Sequence, residues 1–260
     1  MSLPINWLDQ VPGLVLGQST QIAHVIRWFF SYYRNKKPLM RLLDPFAKND
    51  EDCIIVIPKL PLQKDRLKEE FRDYPFLKKI DDKPTPLHFT DELTGTHDPI
   101  AISYIHLLLS KAGKKDKLKF KVDEELGEDE LNVNLICIGA WSNRITMATI
   151  ERSPYFKFGA DSKGGYILSP KRGNHYYDYE SNRSYGILLK LRDVFHSNKA
   201  VMVAAGLSAD AGAGAAYYLW SKKEYYAKKY SASSFGILVK IDTDLGYGSA
   251  EAIEEWSPAK

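Results

Sequence analysis

Two stretches of the 260-residue chain follow one plan: an apolar run, a glycine, a short loop of small or polar residues, and the start of a helical pattern. The first runs from Leu135 through Ile138 to Gly139, Trp141, Ser142, Asn143, Arg144 and Thr146. The second runs from Val201 through Ala205 to Gly206, Ser208, Asp210, Gly212 and Gly214. A helix that opens directly after a strand presents unpaired N–H groups and a partial positive charge in its first turn. Phosphate and carboxylate are the groups such an end attracts. In the second loop, Gly206, Gly212 and Gly214 leave no side chain to block a close approach, and Ser208 offers a hydroxyl. Asp210 opposes a bare anion, so it fits only if it faces a ribose, a metal or a cationic partner. In the first loop, Asn143 and Arg144 suit hydrogen bonds to a base, a ribose or a phosphate, and Trp141 suits stacking on a ring. A packing account stands beside this one. Ser142 is a natural N-cap, and Gly212, Gly214, Ala215 and Ala216 would let a helix lie close on a sheet.

Other reactive patterns are thinner. The second loop is neither GxGxxG nor a Walker loop, because Ala213 stands where the latter needs lysine. A P-loop enzyme is therefore not expected. Ser208 sits where a nucleophile elbow would place it, but the second glycine of GxSxG is missing. His97 reads as part of a helix cap, His106 as a packed or solvated helix residue, and His175 could join Asp178 and Glu180 in a tyrosine-rich loop. There is no HExxH, CxxC or HxH spacing, so no metal is predicted. Cys53 and Cys137 each lie inside an apolar run and read as small buried hydrophobes. Tyr217 to Tyr230 interleaves aromatics with lysines, a pattern that a nucleic-acid surface shares with an amphipathic helix carrying snorkelling lysines. The second reading is preferred.

The elements that must position these loops follow from hydrophobic periodicity. Cys53–Ile57 is a short continuous apolar run, as expected of a strand buried on both faces, and Asn132–Ile138 and Ala200–Ala205 read as two further buried strands. Lys119–Val122 alternates like an edge strand, and Phe235–Ile241 reads as a last strand. Asp98 before Pro99 predicts a helix start, with Gly113 as its C-cap. Helices are also expected near 145–151 and from about 213 to 230, and a charged stretch from Lys64 to Lys79 looks helical before the Pro-rich loop at 81–86. Tyr166–Ser169 and Tyr185–Leu191 read as strands joined by a polar loop. Residues 18–34 form an amphipathic pattern with Ile22, Val25, Ile26, Phe29, Phe30 and Tyr33 on one face.

Strands alternating with helices imply a mostly parallel sheet covered on both faces. The expected fold is therefore α/β: a Rossmann-like three-layer domain over 51–260, with an antiparallel hairpin insertion at about 156–192. An N-terminal helical appendage over 1–50 would carry the amphipathic helix. In such sheets ligands bind beyond the carboxyl ends of the strands, which places both glycine-led loops at one edge. The function expected is a regulatory or sensor module that binds a nucleotide, a dinucleotide or another phosphate-bearing small molecule. The alternatives are a nucleotide-processing hydrolase of the same fold and an oligomeric interaction protein. The apolar face at 18–34 suggests a homo-oligomer joined through that helix. A net charge of +3, 27% charged residues and 44% hydrophobic residues are ordinary for a globular chain and do not call for nucleic acid. The longest apolar stretch, Val11–Tyr33, contains Gln18, Gln21, His24 and Arg27, so no membrane span is expected. With no signal-peptide pattern and only two cysteines, a cytoplasmic location is expected.

Overall fold

The computed structural model describes residues 36–58, 60–61, 92–93, 97–114, 118–160, 166–170, 176–178, 180 and 182–258. After a helical stretch at 36–42, the elements in chain order begin with β1 (Cys53–Ile57), β2 (Leu60–Pro61), β3 (Glu92–Leu93), α1 (Asp98–Ala112), β4 (Lys119–Val122) and β5 (Asn134–Ile138). They continue with α2 (Arg144–Arg152), β6 (Phe156–Ala160), β7 (Tyr166–Pro170), β8 (Tyr177–Asp178), β9 (Arg183–Arg192) and β10 (Ala200–Gly206). The last are α3 (Ala209–Ser221), α4 (Lys223–Lys229), β11 (Phe235–Asp242) and β12 (Glu251–Trp256). The expected helices at 18–34 and 64–79, the Pro-rich segment at 81–86 and His175 lie outside the described residues.

Seven strands make one sheet in the order β12-β11-β9-β10-β5-β1-β4. β4, β1, β5 and β10 are mutually parallel. β9, β11 and β12 then extend the sheet through antiparallel pairs. β1, β5 and β10 are the three expected buried strands, and their central positions explain their largely apolar composition, since both faces of each strand are covered. Strand alternation divides their side chains between two cores. Cys53, Ile55, Ile136, Met202 and Ala204 join Ala101, Ile105 and Leu108 of α1 and Ala211, Ala215 and Leu219 of α3. Ile54, Val56, Leu135, Cys137, Val201 and Val203 face the other way, onto Ile145 and Ile150 of α2 and Phe156 of β6. The result is a three-layer α/β fold.

Local signals mark the ends of α1. Pro99 sits in its first turn, and Gly113 closes it in the left-handed region at φ 101°, donating its N–H to the Leu109 and Ser110 carbonyls. The N-cap is His97, and Asp98 is already helical, where its carboxylate complements the positive helix end.

Antiparallel strands do occupy the region of the expected hairpin, but they divide between two sheets. β6, β7 and β8 form a separate three-stranded sheet. β9 lies inside the main sheet between β10 and β11. Leu39, Leu42, Leu43, Phe46 and Ala47 are buried in the same core as α1 and α3, so the N-terminal segment enters the main fold by residue 39. Among the described residues, no helix is long and apolar enough to cross a membrane.

Candidate functional site

Both glycine-led loops lie at the carboxyl edge of the parallel strands. They touch there: the Gly139 N–H donates to the Ala204 carbonyl at 3.1 Å. The chain leaves β1 for β4 on one side and leaves β5 toward β10 on the other. The crevice between β1 and β5 is therefore the point at which strand order reverses, where open sheets of this kind bind ligands.

In this protein the crevice is filled from within. Asn143 is fully buried. Its amide donates to the Val56 carbonyl at 3.2 Å and the Ile138 carbonyl at 2.9 Å, the last turns of β1 and β5. Its carbonyl oxygen accepts from the Ile145 and Thr146 N–H groups, each at 3.1 Å, and so caps α2. Buried Asp123 accepts from the Arg144 N–H at 2.8 Å. The first three N–H groups of α2 thus end on the protein's own side chains, leaving little for an anion.

Arg144 is also committed. Its Nε donates to the Asp123 carbonyl at 2.8 Å and its Nη2 to the Leu126 carbonyl at 2.6 Å. Trp141 packs on Phe158 with ring centroids 5.1 Å apart. Ser142 is exposed in the turn. Thr146 is buried, and its hydroxyl has no hydrogen-bond partner among the described residues. Gly139 takes φ 89° with the Pro58 ring 3.1 Å from where a Cβ would stand. Asn143 rather than Ser142 is the cap.

The second loop is arranged differently. Ser208 caps α3, accepting from the Ala211 N–H at 3.3 Å and donating to Ser184 Oγ at 2.8 Å. Asp210 meets His97, with Oδ1 and Nε2 3.0 Å apart, and both side chains are about 30% exposed, at 28% and 29%. This contact ties the first turn of α3 to the N-cap of α1. Further along the same faces of these helices, Tyr104 and Tyr217 pack edge to face at 5.3 Å, and Tyr247 lies 6.0 Å from each. Burial, followed by the neighbouring Tyr247, raises the Tyr104 phenol above its ordinary range.

Two of the loop glycines serve packing. A Cβ on Gly206 would stand 2.5 Å from the Ala211 methyl, and one on Gly214 would stand 2.5 Å from Ile241 Cδ1. Gly212 has room, with no atom of the described residues nearer than 3.8 Å. The structure therefore brings Ser208 and Asp210 to one place and adds His97 and Ser184. Neither addition carried a local signal, because each reaches the loop from a distant part of the chain.

The two thiols offer no nucleophile here. Both are buried and free. Burial pushes Cys53 up to about 12 and raises Cys137 further. Among the described residues, no group of three or more histidine, cysteine or acidic side chains is placed to hold a metal ion. No protein-family model, no curated protein and no solved structure matches the chain.

Proposed function

We propose that the chain is a regulatory or sensor module that binds a phosphate-bearing small molecule, of nucleotide or dinucleotide class, at the carboxyl edge of its parallel strands. The contact set is narrower than the two loops together: Ser208, Asp210 and the first turn of α3, with His97 from the end of α1. The observation that carries the reading is the 3.0 Å contact between His97 and Asp210. It draws the positive ends of two long helices to one point beside a hydroxyl pair. It also gives Asp210 the cationic or hydrogen-bonding partner that a carboxylate near an anion requires. Asn143 and Arg144 act here as supports that hold the loop in place.

Thermal-shift measurements with ATP, GTP and NAD, followed by calorimetry, test this. A ligand at about 100 times its dissociation constant adds roughly 2.7 kcal/mol to stability. His97→Ala and Asp210→Asn should both weaken binding while the domain still melts cooperatively. Stability unmoved by all three ligands would overturn the reading. The same histidine–carboxylate contact favours a second reading, a nucleotide-processing hydrolase in which Asp210 orients His97 as a general base. Chromatography of a nucleotide incubated with the protein separates the two, since a sensor returns it unchanged.

A further inference from the structure

At the opposite edge of the sheet, where β5 and β10 begin, an open depression of about 590 Å³ is lined by Glu128, Asp129, Asn132, Arg152, Phe195 and His196, with Leu131 and Val194. Three separate pieces of chain build it: the turn before β5, the last residue of α2, and the turn between β9 and β10. Its volume is in the range of small-ligand sites.

Its lining carries both signs of charge. The Arg152 guanidinium lies over the Phe195 ring at 4.7 Å from the centroid, beside His196. Glu128 and Asp129 come from the turn before β5. Opposite charges thus line one depression, yet among the described residues neither Arg152 nor these two carboxylates forms an ion pair. Glu130, in the same short turn, shows the contrast, since Lys121 holds it at 2.6 Å. The ring under Arg152 fixes its planar fork without using its donors.

We propose that this depression binds a small zwitterion of the amino-acid class. The ligand's carboxylate would sit on Arg152 and His196, and its ammonium on Glu128 and Asp129. Its apolar part would sit against Leu131, Val194 and Phe195. A planar carboxylate is what an arginine fork recognises, and an ammonium satisfies two carboxylates that have no lysine partner among the described residues. The proposal is independent of the carboxyl-edge site.

The test is calorimetric titration of the full chain with L-phenylalanine, with 3-phenylpropanoate, which keeps only the carboxylate, and with 2-phenylethylamine, which keeps only the ammonium. L-Phenylalanine should bind at least tenfold more tightly than either half. Arg152→Met should weaken L-phenylalanine and 3-phenylpropanoate tenfold or more and leave 2-phenylethylamine unchanged. Glu128→Gln combined with Asp129→Asn should do the reverse. All three positions are exposed, so these variants should keep the melting temperature of the parent, and Arg152→Lys, which retains charge but loses the fork, should fall between. Ser208→Ala should have no effect, which separates this site from the one at the other edge. Absence of heat from L-phenylalanine at millimolar concentration, or equal binding by the parent and Arg152→Met, would overturn the proposal.

Discussion

Asn143 uses both of its amide hydrogens and both lone-pair directions of its carbonyl oxygen, on two strand ends and one helix start. Asn143→Ala would orphan two carbonyls and two N–H groups in a fully buried position. Each such group costs about 1–3 kcal/mol, so a loss of roughly 3 kcal/mol or more is expected in chemical denaturation. Asn143→Asp keeps the cap but turns an oxygen toward the Val56 and Ile138 carbonyls, and should cost at least as much. A midpoint unchanged in either variant would refute the structural role. The residue type was legible in the sequence as a hydrogen-bonding group at a helix start. Its target was not, because the Val56 carbonyl comes from another strand and only the β1–β5 pairing brings it there. Lys190 makes a related point in the opposite sense. It stands fully buried near the end of β9, donating to the Leu42 carbonyl at 2.6 Å. Burial, reinforced by Arg192 and opposed by Asp44, pushes its ammonium from 10.5 down to about 7. The folded value lies below the unfolded one, so between about pH 7 and 10.5 the unfolded chain holds a proton that the folded chain has released. Stability should therefore rise with pH across that window, by a few kcal/mol in total. Lys190→Met should flatten the rise, as measured by denaturation midpoints at pH 7, 8.5 and 10.

Close contact between α3 and the sheet sets how far each glycine can be changed. A Cβ on Gly186 of β9 would stand 2.2 Å from the Ala211 carbonyl oxygen, a backbone atom that cannot turn aside. Gly212 of α3, by contrast, has space for a methyl. Gly212→Ala should leave stability unchanged or raise it by about 0.5–1 kcal/mol through helix propensity. Gly186→Ala should lower it by roughly 1–3 kcal/mol or more through overpacking. Thermal melts of the two variants that moved together would contradict this account. The central elements were readable because a strand covered on both faces is apolar along nearly all its length, as β1, β10 and Leu135–Ile138 of β5 are. β12 was not, since Glu251 to Trp256 holds three glutamates and has neither a continuous apolar run nor a strict alternation. Its place at the edge of the sheet explains the composition, because an edge strand tolerates charge. The single helix expected from about 213 to 230 begins earlier, at Ala209, and is interrupted at Lys222. The aromatic–lysine pattern runs straight through that break and gives no sign of it. Local periodicity thus found the elements that face the core. It also found β4, whose alternation marks an edge, but not β12, which lacks that alternation.

At the scale of the whole molecule, the N-terminal region divides into two parts with different expected roles. Residues 36–47 belong to the core: Leu42 and Phe46 are completely buried, Leu39 and Leu43 nearly so. Their backbone accepts from Lys190, and Asp44 pairs with Arg192. Residues 18–34 carry an amphipathic pattern and are the segment proposed to join two copies of the chain. Two truncations distinguish these roles. Removing residues 1–34 leaves every one of those core contacts, so the remainder should melt cooperatively at close to the parent temperature. If 18–34 carries the subunit contact, its mass by light scattering should fall from dimer to monomer. Removing residues 1–47 takes away four large buried side chains, each worth about 1.5–3 kcal/mol. The sum is comparable to the 5–15 kcal/mol that stabilises a typical domain. It also leaves the Lys190 ammonium without its Leu42 acceptor. That shorter chain should fail to fold, with no cooperative transition in circular dichroism. A parent that is already monomeric would remove the subunit contact from the account, and a folded 48–260 fragment would show that the 36–47 segment is an accessory to the sheet rather than part of its core.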